Sequence, residues 1–205
     1  MILIANVLSN LIKEDDYMLI WIIVNMWRII PTWLIAIANK NKDLIKSDLD
    51  RWNMYYRRFD NDIIQFGYLL LRIKEYRNLL INRLMCSKPL ATMVIFLFSP
   101  CDTLFVNTID IGERFFIHHG FATIINAEKI GNNCRVSQQV TIGQKGDCKP
   151  TIGDNVKICA GAIVIGDVKI GNNSIVGAGA VVVKDIPPNE VWGGNPAHFI
   201  KKNDN

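Results

Sequence analysis

The sequence predicts a mainly β fold, a parallel β-helix of six-residue repeats preceded by an α-helical segment. Three observations carry that expectation. From about Ile109 to Ile186 aliphatic residues return at every sixth position. The first hundred residues carry a helical three-four spacing instead. Two interruptions then break the six-residue rhythm, where loops should leave the coil.

The repeat is regular enough to read by eye. Ile152, Ile158, Val164, Ile170, Val176 and Val182 follow one another without a slip, Ile130, Val136 and Ile142 keep the phase, and Ile111 and Ile117 begin it. A fixed short period marks a solenoid, in which one aliphatic side chain per hexad enters a narrow prism and stacks on its counterpart in the next coil. Asn132-Asn133, Asn155 and Asn172-Asn173 fall at the corners, where a left-handed backbone costs asparagine and glycine little. Three hexads make a triangular coil, so the stretch supplies about four coils. No helical segments separate the hexads, which excludes an ordinary α/β sheet.

The breaks are one extra residue around Gly120–Thr123, between Ile117 and Ile130, and four extra between Ile142 and Ile152, giving the loop Gln144–Pro150. Insertions in a solenoid are extruded as loops, often on the binding face. The chemistry is therefore expected beside these two positions.

The first half reads as helix. Ile45, Leu49, Trp52, Tyr56 and Phe59 form an apolar stripe, and 63–84 is a second helical run containing Arg72, Lys74, Glu75 and Arg77. Residues 17–37 are heavily apolar but contain Asn25, Arg28 and Pro31. An arginine at a bilayer centre costs roughly 2.5–3.5 kcal/mol or more, so a spanning helix is disfavoured against a buried helix or one in peripheral contact with a membrane surface. Leu90 to Phe98 is too short to span. These patterns divide the chain into a helical domain over 1–100, a β-helix over 101–200 and a short tail over 201–205.

Composition narrows the partners. Half of the 205 residues are hydrophobic and the formal charge is +4, with no arginine-rich run of the kind that tracks nucleic acid. The five cysteines are scattered and contain no C-x-x-C pair, so neither a disulfide framework nor a metal site is indicated, and reduced, mostly buried thiols in a cytoplasmic protein are expected. The opening MILIANVLSNLIKEDD lacks the basic start and small-residue cleavage site of a secretory signal.

Only three histidines are present, His118, His119 and His198, and the first two adjoin the first break in FFIHHGFATII. Adjacent strand residues face opposite ways, so at most one of the pair is expected to address a given site. The blocks H-G-F-A-T and Q-Q-V-T-I-G, within IDIGERFFIHHGFATIINAEKIGNNCRVSQQVTIGQ and the hexads after it, resemble the serine acetyltransferase family of hexapeptide acyltransferases, in particular short members found among surface-polysaccharide genes. The resemblance covers roughly 100–200 and, weakly, Asp48 and EYRNLLINRL.

That resemblance implies a left-handed β-helix and an acetyl-CoA-dependent O-acetyltransferase with no metal, acting in cysteine biosynthesis if the acceptor is L-serine. It implies His119 as general base, with His118 as its rival or a substrate contact, and an upstream carboxylate orienting the imidazole, for which Asp102 and then Asp110 are the nearest candidates. A histidine titrating near pH 6.5 suits proton removal at neutral pH. Acetyl-CoA would lie along backbone at Gly143, Ala160-Gly161-Ala162 and Ala178-Gly179-Ala180, with Lys184, Lys201 and Lys202 near its phosphates. The resemblance further implies a homotrimer, with each site between two subunits, or a dimer of trimers.

Two departures matter. The family's Arg-His-Pro loop segment is Cys148-Lys149-Pro150 here, so Lys149 is left as a point charge toward an acceptor carboxylate. The isoleucine-ended tail with which relatives dock a partner sulfhydrylase is replaced by Lys201-Lys202-Asn203-Asp204-Asn205, so no such complex is expected. A sugar hydroxyl of a surface polysaccharide is accordingly the alternative acceptor, and a non-catalytic scaffold on the same fold is the alternative of another class. A hexapeptide carbonic anhydrase is disfavoured by the histidine spacing.

Overall fold

The computed structural model describes residues 14–203. The opening MILIANVLSNLIKEDD, expected to lack a secretory signal, therefore lies almost wholly outside the described residues, as do residues 204 and 205. Among the described residues six helices come first: α1 Glu14–Val24, α2 Met26–Ala38, α3 Lys42–Tyr56, α4 Asp62–Arg72, α5 Lys74–Leu84 and α6 Lys88–Leu97. Two sequence runs read as continuous are each broken. Residues 17–37 bend by 76° between α1 and α2, at Asn25, and 63–84 is interrupted at the extended Ile73. Among the described residues no single helix is long and apolar enough to cross a membrane, although the bent α1–α2 pair passes by length and composition together.

The strands then wind in coils. The first holds β1 (Leu104–Val106), β2 (Asp110–Ile111) and β3 (Phe116–His118). The second holds β4 (Thr123–Ile125), β5 (Lys129–Ile130) and β6 (Arg135–Ser137), and the third β7 (Thr141–Gly143), β8 (Thr151–Ile152) and β9 (Lys157–Ile158). The fourth holds β10 (Ile163–Ile165), β11 (Lys169–Ile170) and β12 (Ile175–Val176). A fifth runs through β13 (Val181–Val182), a bridge from Ile186 to Ile170, and β14 (Glu190–Gly193). Strand β15 (His198–Lys202) turns back antiparallel on β14, so the tail lysines Lys201 and Lys202 belong to a hairpin.

Every pairing between coils is parallel, and the strands stack into three faces: β1-β4-β7-β10-β13 (first), β2-β5-β8-β11 (second) and β3-β6-β9-β12-β14 (third, extended by β15). The solenoid is consistent with left-handed coiling and has about five turns. The hexads alone give about four, because Leu104–Val106 precedes their phase and Trp192 replaces an aliphatic residue at the end.

The hexad residues form the predicted inward stacks. Ile125, Ile142, Val164 and Val182 line the first face, Ile111, Ile130, Ile152 and Ile170 the second, and Ile117, Val136, Ile158, Val176 and Trp192 the third, none more than 8% exposed. Burial of each such aliphatic side chain is worth roughly 1.5–3 kcal/mol. The corner between the second and third faces is held by asparagine. Asn133, Asn155, Asn173 and Asn189 take φ of 56–59°, and their amides bond in a chain, each Nδ2 donating to the next Oδ1 at 2.8–3.0 Å. Asn132 and Asn172 do not share that conformation. Their Oδ1 atoms accept backbone N–H groups from Glu113 and Asp154 one coil earlier.

The helices close the first coil. Trp52 of α3 is fully buried, donates to the Phe115 carbonyl at 3.0 Å, and lies 4.7 Å from the Phe116 ring. Beside it Arg83 of α5 donates Nε to Asp48 Oδ2 at 2.8 Å and Nη2 to the Gly112 carbonyl at 2.6 Å, while Nη1 donates to the Ile111 carbonyl. Asp48 Oδ1 also accepts Phe115 N–H at 2.9 Å. Burial pushes the Asp48 carboxyl up to about 6, against the opposing pull of Arg83 and the backbone donors. Among the five cysteines, which are free, only Cys134 is buried; Cys86 and Cys148 are exposed, contrary to the expectation of mostly buried thiols.

Replacing Arg83 with methionine leaves a buried carboxylate and two carbonyls unpaired, and should cost about 3–5 kcal/mol in denaturant unfolding at pH 7.5. The pH dependence has a definite sign. Between the ordinary carboxylate value and about 6, folded Asp48 holds a proton that the unfolded chain releases, so its contribution to stability falls as pH rises through that window. Without Arg83 the window extends upward, and the deficit of Arg83→Met should shrink at pH 5. A deficit equal at both pH values would contradict this account.

Candidate active site

The first break turns the corner from the third face to the first. There β3 ends at His118, and His119 takes φ +53°, leaving the strand. That departure corrects the expectation drawn from strand alternation. The two imidazoles are not on opposite faces but 4.0 Å apart, centroid to centroid. His118 is half-buried and faces the helices beside Phe116, while His119 is exposed. Desolvation lowers the His118 pKa, reinforced by His119 and Arg135 and opposed by Glu75.

Gly120 follows the pair in a tightly enclosed position. A Cβ there would meet Ile117 Cγ2 at 2.7 Å, with Glu75 Cγ and Leu104 Cδ2 at 3.0 Å. Its N–H donates to Glu75 Oε1 of α5 at 3.1 Å. Glu75, and neither aspartate candidate, is thus the carboxylate that reaches this turn. Asp102 lies in an exposed turn before β1 and makes no side-chain hydrogen bond or ion pair among the described residues. Asp110 stands on the second face, 3.5 Å from Lys129.

Below the histidines the same edge continues through successive coils. Gln139 N–H donates to Phe121 O, Gly161 N–H to Gln138 O and Gly179 N–H to Ala160 O, at 2.9–3.0 Å. His119, Ala160-Gly161 and Ala178-Gly179 therefore share one column. Gly161 and Gly179 have φ of 71° and 67°, and a Cβ on Gly179 would meet nothing within 4 Å. The column is an open backbone strip.

The other predicted residues are elsewhere. Gly143 ends β7, at the opposite edge of the first face, where the second break emerges. That loop is a small hairpin, with two backbone bonds between Lys145 and Cys148 and Gly146 at φ +61°. Lys149 follows it, half-buried. Within one chain the structure does not bring Lys149 to His119, because the two breaks lie at opposite ends of the first-face strands. Lys184 follows β13 at that far edge, its Nζ 5.3 Å from the Trp192 ring. Lys201 sits on β15 opposite Val191, and Lys202 pairs with Glu190 at 2.7 Å. Neither the pair of tail lysines nor Lys184 stands on the column. Among the described residues no group of three or more His, Cys, Asp or Glu is arranged to hold a metal.

Glu75 was not among the sequence candidates although it opens the segment EYRNLLINRL. Its signal is helical: Glu75, Asn78 and Asn82 fall at i, i+3 and i+7, one face of α5. Asn78 donates to the Leu104 carbonyl and Asn82 to the Thr108 carbonyl, both at 2.8 Å. All three polar side chains thus bond backbone at the first coil.

The chain is thus a parallel solenoid with a histidine turn above an open small-residue edge. The family described as bacterial transferase hexapeptide (six repeats) matches residues 149–184. The particular likeness is to serine acetyltransferases. That of Staphylococcus aureus strain Mu50 is 41% identical over 97 residues, covering 45% of this chain and 46% of the relative, and that of a Staphylococcus epidermidis strain is 40% identical over the same length. The chain thus spans about half the length of the curated relatives it matches. The Neisseria gonorrhoeae serine acetyltransferase structure superposes with a TM-score of 0.61 at 26% identity, covering 80% of this chain and 67% of that one. The soybean enzyme complexed with serine gives 0.62 at 27%, covering 83% and 74%.

Gly120→Ala should cost roughly 1–3 kcal/mol by overpacking and displace the histidine turn. Thermal unfolding and the histidine ring resonances report the two effects, and a variant as stable as wild type would show that the turn has room to give.

Proposed function

We propose that the chain is an acetyl-CoA-dependent O-acetyltransferase of the serine acetyltransferase type. The observation that carries this reading is the histidine pair at the head of an open backbone strip. Acetyl-CoA extended along Ala160-Gly161 and Ala178-Gly179 would direct its thioester toward His119. The His119 imidazole takes the proton of the acceptor hydroxyl as that oxygen attacks the thioester carbonyl. The tetrahedral intermediate collapses, the C–S bond breaks, and the imidazolium returns its proton to the departing thiolate. Metal is not required by this sequence of steps.

The acceptor hydroxyl is that of L-serine in this reading, supported by the serine-bound soybean relative. Cys148 and Lys149, standing where the resembled family has arginine and histidine, favour a sugar hydroxyl as the second reading. Lys149 offers one point charge to a carboxylate, where arginine would offer a planar fork. A cytoplasmic location fits a chain that consumes acetyl-CoA.

The separation of the breaks supports a homotrimer. A site that uses both His119 and Lys149 is incomplete in one chain, and a neighbour presenting its Gln144–Pro150 hairpin to the histidine edge would complete it.

Thiol release from acetyl-CoA tests the activity, with L-serine and a panel of sugars as acceptors. His119→Ala is expected to reduce turnover by roughly 10²–10⁴, the usual worth of a general base. No release by wild type with any acceptor would overturn the enzyme reading, and release with sugars alone would replace serine. In a second assay, His119→Ala and Lys149→Ala chains are unfolded together and refolded as a mixture. Activity above that of either variant alone is expected if the site spans two subunits; a mixture no better than its components would place the site within one chain.

A further inference from the structure

Glu75 reaches the histidine turn from the helical half of the chain. It lies on α5, 45 residues upstream of the turn it bonds. The turn is one that the backbone does not favour unaided, since His119 at φ +53° and Ala122 at φ +50° are both in the left-handed region without being glycine. Its central amide, Gly120 N–H, is bonded to Glu75 Oε1, and Glu75 Cγ closes the space above that glycine. The other charged or titratable groups around the carboxylate come from every element that packs there. They are Tyr56 from α3, Arg77 from α5, Arg135 from β6 and the two histidines. Arg135 lies over the Phe116 ring at 5.9 Å and Arg77 donates to the Ser99 carbonyl at 2.6 Å, so neither cation is ion-paired with Glu75.

We propose that Glu75 is the positioning residue of the histidine pair: its carboxylate holds the turn after His119 and supplies the negative charge beside which the imidazoles take up a proton. The proposal deepens the acetyl-transfer reading and rests on it for its kinetic consequences. In that reaction the base becomes an imidazolium while the acceptor oxygen attacks. A fixed carboxylate nearby stabilises that cation, as a buried aspartate does in a Ser-His-Asp triad. The helical segment would then be part of the catalytic apparatus, since it is α5 that delivers the charge to the solenoid. Asp102 and Asp110, which come from the solenoid itself, are not needed for this role.

Three substitutions in the full-length protein separate the bond from the charge. Glu75→Gln keeps an oxygen that can accept Gly120 N–H but removes the charge. Glu75→Ala removes both, and Glu75→Asp keeps the charge on a shorter arm. Two readouts are followed: the pH titration of the histidine ring resonances, and the pH profile of kcat/KM with the acceptor identified by thiol release. Glu75→Gln is expected to move the midpoint of His118 titration, and the acidic limb of the activity profile, to lower pH. The reason is that protonation of the imidazoles loses its favourable neighbour. Turnover should fall about tenfold in Glu75→Gln and about a hundredfold in Glu75→Ala, at or below the lower end of what a proton-transfer group itself is worth, with KM for acetyl-CoA unchanged. Glu75→Asp should restore the position of the acidic limb.

Histidine titrations identical in wild type and Glu75→Gln would overturn the proposal. So would an equal loss of activity in all three variants with the pH limb unmoved, since that is what a purely structural contact predicts. If wild type transfers no acetyl group, the enzyme reading fails by itself, and the ring titrations still decide whether Glu75 governs the histidines.

Discussion

The ion pair between Asp48 and Arg83 fixes how the two halves of the chain meet, and the position of everything near the histidines follows from it. Both side chains are almost fully buried, at 2% and 3% exposed. Arg83 satisfies both oxygens of Asp48 and the carbonyls of Ile111 and Gly112, and Asp48 in turn takes the Phe115 N–H. Helix α3, helix α5 and the corner from β2 to β3 are thereby held by one set of charge-assisted bonds. Taking two charges out of water is costly, and a pair of well-packed apolar residues could stabilise the fold as well. An apolar pair, however, would leave the corner carbonyls and the Phe115 amide without partners. What the charged pair contributes is a single orientation of helices against coil.

That orientation has a direct chemical consequence. Once Arg83 is docked on the corner before β3, the polar face of α5 runs along the first coil. Asn82 meets Thr108, Asn78 meets Leu104, and Glu75 arrives at Gly120. The spacing of a helix, 1.5 Å per residue, puts Glu75 about 12 Å from Arg83 along the axis. This carries the same helix from one corner of the coil to the histidine turn. A helical half that looks like an appendage in the sequence is thus a ruler that sets where a carboxylate stands relative to His118 and His119. Trp52, fully buried, bonds the Phe115 carbonyl and packs on the Phe116 ring between these contacts.

The fold was legible because its information is periodic. Each hexad repeats the same inward contact, so Ile152 through Val182 announce the solenoid several times over, and an error at one position is outvoted by its neighbours. The ends are legible only in part. Leu104–Val106 and Trp192 complete coils without obeying the repeat, since an end coil has a neighbour on one side only. The site was less readable for a related reason: it is made where periodicity stops. Alternation along a strand predicts that His118 and His119 face apart, and it fails because His119 has already left the strand for a left-handed turn. The carboxylate was sought close by in sequence, among Asp102 and Asp110, whereas the carboxylate that bonds the turn, Glu75, comes from a helix 45 residues away. Small-residue positions that recur in the coil, as at Gly161 and Gly179, fall in one column. Gly143 stands on the other edge because a three-residue strand separates the two corners.

The two breaks also constrain how a site can be built at all. A triangular coil has three edges, and an insertion at one edge cannot reach another across an intervening face. Here the histidine turn and the Gln144–Pro150 hairpin bracket the first face, each on its own edge. A loop that must act on the histidine edge has to come from another copy, whose own first face is bracketed in the same way. Closed rotational symmetry satisfies all such edges at once, with each chain giving a hairpin to one neighbour and receiving one from the other. In the proposed trimer the exposed backbone strip at Gly161 and Gly179 would become the floor of a cleft between subunits, with the lone chain's edge as half of it. Helix α5 serves only its own chain's histidines, so each cleft would combine a carboxylate fixed from within the subunit with a lysine brought from outside it. Under the proposed acetyl transfer the acceptor would be chosen by the hairpin, which differs most from the family it resembles, while the proton chemistry would belong to the chain that carries the turn.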